Sequence, residues 1–149
     1  MLERLDKSTL IRAFYTDLLH LEYLDHYECF LRDFYIKFTG IEERIYNKTL
    51  RYAGTADRVG YYRDIPFQEK NAWLVADLKT GSTMVNANLQ TAAYAMALFD
   101  DYEAVDRFVI QIHPQTLKGY KLYKYDDPMD FVKWRQILND YHELSTLQG

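Results

Sequence analysis

Asp77 and Lys79, in the run Trp73-Leu-Val-Ala-Asp-Leu-Lys-Thr-Gly81, stand two residues apart, the spacing that sends two side chains to one face of a β-strand. A carboxylate so placed can hold a divalent cation through hard oxygen, and the ammonium beside it can offset charge on a phosphate or orient the attacking water. About one acid-x-Lys spacing is expected by chance in a chain of this composition, so the neighbouring residues decide what the pair means. Upstream, Asp57 closes the stretch Tyr52-Ala-Gly-Thr-Ala-Asp57; on a strand next to that of Asp77 it could meet it, with the Leu78 backbone carbonyl as a third oxygen. Downstream, Gln90 and Tyr94 are four apart on an alanine-rich helix and share one face with Asn86, a further four residues back. Phosphodiester hydrolysis needs such convergence, because metal ions roughly 3.5–4 Å apart both activate a water and stabilise the attacked phosphate.

Taken in order, Ala53-Gly-Thr-Ala-Asp57, Val75-Ala-Asp-Leu-Lys-Thr-Gly81 and Gln90-x-x-x-Tyr94 resemble the PD-(D/E)XK nuclease superfamily, in its RecB-like and phage exonuclease branch, from about Leu21 to the C-terminal helix. The resemblance implies a restriction-endonuclease-like α/β core, a central mixed β-sheet flanked by helices, that hydrolyses DNA with Mg²⁺ or Mn²⁺. It implies Asp57, Asp77 and the Leu78 carbonyl as metal ligands, Lys79 as the group that orients water, and Gln90 and Tyr94 as residues lining the site. Glu42, in Ile41-Glu-Glu-Arg-Ile45, matches the position where relatives carry an acid on the first strand, and Arg44 would share its side by period two. Relatives usually carry an upstream Gly-Thr-x-x-His signature whose histidine ligates metal. This chain lacks it, so either the site works with carboxylates, carbonyl and water, or the natural protein is longer with a further motif helix, or activity has been lost.

The chain of 149 residues, 48% hydrophobic, is the size of one domain and can bury a sizeable core, so one nuclease-like domain over 1–149 is expected. Its net charge of −4 lacks the basic excess that usually marks a nucleic-acid partner, although metal carboxylates contribute to that sum and are neutralised by bound cations. Cys29 is alone, which excludes a four-cysteine iron–sulfur cluster and suits a reducing bacterial cytoplasm. No apolar run approaches 18 residues and Met1-Leu-Glu-Arg-Leu-Asp6 does not read as a signal peptide, so no membrane partner is expected.

Around these residues, Leu24, Tyr27, Phe30, Leu31, Phe34 and Phe38 recur at three- and four-residue spacing, predicting an amphipathic helix from Leu21 to near Gly40, after a shorter one over Ser8–Leu19. Period two then predicts strands over Ile41–Tyr46, Leu50–Gly60 and Ala72–Lys79. A helix capped by Asn86 runs to about Phe99, a hairpin joins Phe108–His113 to Gly119–Tyr125, and Asp127 caps a last helix with Pro128 at its first position. Tyr61, Tyr62 and Arg63 form an aromatic and basic loop expected beside the cleft, and Lys118, Lys121 and Lys124 a candidate basic stripe. His20, His26 and His113 lack ligand-like spacing, and Trp73 and Trp134 read as core anchors.

The leading expectation is a metal-dependent exonuclease acting on DNA, of the kind found in phage recombination or replication cassettes, with a recombination or replication protein or a second copy of itself as further partners. The alternative is a catalytically impaired nuclease-fold module that binds DNA or a protein. A sequence-specific endonuclease needs recognition elements for which this length leaves little room.

Overall fold

The computed structural model describes residues 26, 27, 29–80, 85–112 and 119–148. Period-two runs rich in valine, isoleucine and tyrosine form β1 (Ile36–Asn47), β2 (Tyr52–Tyr62), β3 (Trp73–Lys79), β4 (Asp106–Ile112) and β5 (Tyr120–Tyr125). They lie side by side in that order in one mixed sheet. β1, β2 and β3 pair antiparallel, β3 and β4 parallel, and β4 and β5 antiparallel. The parallel pair needs a crossover, supplied by helix α2 (Ala87–Leu98). Helix α1, described at residues 26, 27 and 29–34, precedes the sheet, and helix α3 (Met129–Gln148) follows it.

Two apolar layers cover the two faces. Tyr27 and Phe30 of α1 pack on Leu74, Ala76, Phe108 and Ile110. On the other side Ala92, Ala95 and Met96 of α2, with Phe131 of α3, meet Ile45, Val59 and Val75. Ala87, Ala92, Ala93 and Ala95 of α2 are almost fully buried and Ala97 is partly so, and these small side chains let the helix backbone lie close to the sheet. Trp73 and Trp134 are half-buried against this second layer. Among the described residues no helix is long and apolar enough to cross a membrane.

Helix α1 ends at residue 34, not near Gly40: Tyr35 takes a left-handed φ of 50°, which stops the helix, and β1 starts at Ile36. Phe38 misled the helical reading because a residue four along shares a face in a strand as well as in a helix. Asn86 precedes α2 with φ 62° and makes no side-chain cap; its carbonyl accepts the Gln90 N–H at 3.0 Å. Asp127 does cap α3, its carboxylate accepting the Met129 N–H at 2.9 Å. Tyr61 and Tyr62 are strand residues at the far end of β2, where Tyr61 pairs with Trp73 at the start of β3, so they sit away from Lys79 at its end. The expected helix over Ser8–Leu19, His20, His113 and Lys118 lie outside the described residues.

Glycine is required at Gly60. A Cβ at Gly60 would come within 2.4 Å of the Lys37 carbonyl oxygen, beside the irregularity in β1 between Phe38 and Gly40. A second break in β1 falls at Glu42, whose φ is 51°. Ile41 packs with the α1 layer and Ile45 with the α2 layer, although strict alternation would put both on one face. The outer half of the β1–β2 hairpin thereby turns over α2, where Asn47 donates to Met96 O at 3.1 Å and Tyr52 to Ala93 O at 2.7 Å.

Candidate active site

The ladder between β2 and β3 runs from Tyr61 opposite Trp73 to Arg58 opposite Ala76. One residue further come Asp57 and Asp77, and there the backbone pairing stops. Asp57 lends its carboxylate in place of a main-chain partner, accepting the Leu78 N–H at 3.0 Å. Asp77 is buried at 3% exposure, and its carboxyl lies within hydrogen-bonding reach of that of Asp57. Lys79 brings its Nζ to 2.8 Å from Asp77 Oδ2 and stays about one-third exposed. This contact is an ion pair by distance only: Oδ2 receives no well-directed hydrogen bond. Asp57, Asp77 and Lys79 are therefore brought together.

Burial is the main cause that pushes the Asp77 carboxyl up to about 6, and the neighbouring Asp57 adds to it while Lys79 opposes it. Half-buried Tyr94 has its hydroxyl held well above the usual phenol range by burial first and then by the charges of Asp77 and Asp57, so it lies within their field. Gln90 is exposed one turn before it, on the same face of α2, and both line a cavity between α2, β2 and α3. Glu42 is different. It is exposed, its left-handed backbone breaks the alternation that was to align it with Arg44, and no ion pair or hydrogen bond ties it to Asp57, Asp77 or Lys79 among the described residues.

The residues suit a hard divalent cation on one observation: a buried carboxylate oxygen without a well-directed donor, beside a second carboxylate. Among the described residues no three His, Cys, Asp or Glu side chains converge. A cation here would take Asp57 and Asp77, with carbonyl oxygen such as that of Leu78 and water completing the shell, as Mg²⁺ commonly does.

Two neighbours were not singled out by the sequence reading. Tyr125 of β5 has its hydroxyl raised by burial and then by Asp77, and Gln111 of β4, buried, is the register partner of Lys79. Period two along Lys121-Leu-Tyr-Lys-Tyr125, which sets Tyr125 on one face with Lys121 and Tyr123, is the sequence signal for Tyr125. Those lysines are engaged elsewhere: Lys124 pairs with Asp106 at 3.3 Å, and Lys121 lies 5.5 Å from the Tyr123 ring centre. No family model and no curated protein matches this chain.

Proposed function

We propose that this protein is a metal-dependent DNA nuclease, of the exonuclease kind, with a restriction-endonuclease-like core. The observation that carries the reading is the buried Asp77 carboxylate set against Asp57, with the Lys79 ammonium 2.8 Å away, where β2 and β3 part. Asp57 and Asp77 would hold Mg²⁺ or Mn²⁺, which supplies Lewis-acid stabilisation of the phosphate and a more acidic water. Lys79, bound to Asp77 on one side and open to solvent on the other, would orient that water and offset charge as it develops on the phosphate. Tyr94, a phenol that carries its proton at neutral pH, can donate to a phosphate oxygen. Gln90, exposed on the same helical face, can do likewise.

The test uses labelled linear and circular DNA with Mg²⁺ or Mn²⁺. The protein should degrade linear DNA from its ends and spare the circle, and Lys79→Ala should slow it by roughly 10²–10³. Equal degradation by both proteins, or by neither, would overturn the proposal. A second reading, a nuclease-fold module without catalysis, is favoured by Glu42 standing outside the carboxylate pair. It predicts no Mn²⁺ uptake in calorimetry, and uptake that is lost in Asp77→Asn would remove it.

A further inference from the structure

The outer half of β2 with Ile45 of β1, one face of α2 and the middle of α3 line a half-open cavity of about 430 Å³. That lies within the roughly 300–1,000 Å³ of ligand-binding clefts. Three aromatic residues line it, Tyr52, Tyr94 and Trp134, and the amides of Asn86 and Gln90 line it too. No lysine, arginine, aspartate or glutamate is among the described residues that line it, so the cavity is made for an uncharged, flat, polar-edged group and not for a phosphate.

Its walls are preformed. The Tyr52 hydroxyl donates to Ala93 O at 2.7 Å, and its ring meets Trp134 edge-on with centroids 5.3 Å apart. Gly54 lies opposite Ile45 in the hairpin, both line the cavity, and a Cβ added at Gly54 would meet nothing within 4 Å. The glycine keeps that space open. Thr55, which also lines the cavity, stands two residues before Asp57 on β2, so the cavity opens along that strand toward the carboxylates, and the charges of Asp57 and Asp77 reach Tyr94 in its wall.

We infer that this cavity receives an unpaired terminal nucleobase of a DNA strand while the adjoining phosphate meets Asp57, Asp77 and Lys79; the inference rests on the nuclease reading. Aromatic faces stack any base, and amide side chains can donate to and accept from its edge. A base still paired in a duplex cannot enter, so single-stranded or frayed ends are the substrates and a blunt, fully paired end must open first.

The probe is a short DNA strand carrying 2-aminopurine at its 5′ or 3′ end or in the middle, mixed with the protein in Ca²⁺. Emission should fall on binding when the fluorophore is at one end and not when it is central. Gly54→Phe, and the smaller Gly54→Leu, fill the space and should remove the quench and weaken binding roughly 5- to 150-fold, the range of one lost base stack. Both should melt no lower than the parent and take up Mn²⁺ as it does. Quench at neither end, central quench equal to terminal, unchanged binding by the folded Gly54 variants, or tighter binding of blunt duplex each overturns the inference. Cleavage in Mg²⁺ without terminal quench would sink the base pocket and leave the nuclease; terminal quench lost in the Gly54 variants, with no cleavage by the parent, would sink the nuclease and leave the pocket.

Discussion

The carboxylate of Asp57 accepts the backbone N–H of Leu78 at 3.0 Å, so one acid both closes the open end of the β2–β3 ladder and faces Asp77. The two roles separate by substitution. Asp57→Asn keeps an oxygen for Leu78 and should fold with near-parental stability while losing Mn²⁺ uptake. Asp57→Ala should lose uptake and also about 1–3 kcal/mol, because it leaves a part-buried N–H without its acceptor. Urea denaturation beside calorimetry checks both, and equal stability of the two variants would refute the structural role.

Asp77 sets a pH dependence of stability. Its carboxyl is raised from 3.8 to about 6 by burial and by Asp57, so the folded state prefers the protonated form. The contribution is fully present below about pH 4 and is lost as pH rises through about 6, which makes the metal-free protein less stable at pH 7 than at pH 4 as far as this group is concerned. The loss is on the order of 2–3 kcal/mol. Asp77→Asn should flatten that stretch of the melting-temperature profile in EDTA, and Mn²⁺ should restore stability to the parent at pH 7 but not to the variant.

Arg107 ties three elements together. Buried on β4, it pairs with Asp130 of α3 at 3.1 Å, donates to the carbonyls of Asn88 and Asp127, and lies 4.6 Å from the Phe131 ring centre. Asp130 also accepts from the Asn88 amide at 2.8 Å. Asp130→Ala should cost about 3–5 kcal/mol by leaving a buried guanidinium without its counter-charge, and the double change Arg107→Met with Asp130→Leu should recover most of it. Chemical denaturation of the single and double variants decides the point.

Two glycines on β2 should respond oppositely to alanine. Gly60→Ala drives a methyl into the Lys37 carbonyl and should cost about 1–3 kcal/mol. Gly54→Ala meets open space and restricts the unfolded chain, so it should gain roughly 0.4–1 kcal/mol. Thermal melts of the two proteins provide the comparison.

Strand and helix order, the pairing of Asp57 with Asp77 and the position of Lys79 were legible because each depends on local period and on the adjacency of successive strands. The end of α1 was not, since Phe34 and Phe38 fit both periods and only the left-handed turn at Tyr35 decides between them. Glu42 was placed by the family resemblance and aligned with Arg44 by unbroken alternation, which the Glu42 backbone violates. The cavity was illegible in principle: Tyr52, Tyr94 and Trp134 meet through tertiary packing, and no short-range spacing connects residues on β2, α2 and α3.

The acids, the amine and the polar helical face all fall between Asp57 and Tyr94, whereas one wall of the adjoining cavity is contributed by Trp134 on the last helix. On the proposed nuclease reading, reactivity is written in one uninterrupted stretch and selectivity leans on a distant one. Under that same proposal, variation in α3 would retune which DNA terminus is admitted while every reacting group stays in place, so preference would change without relearning the chemistry.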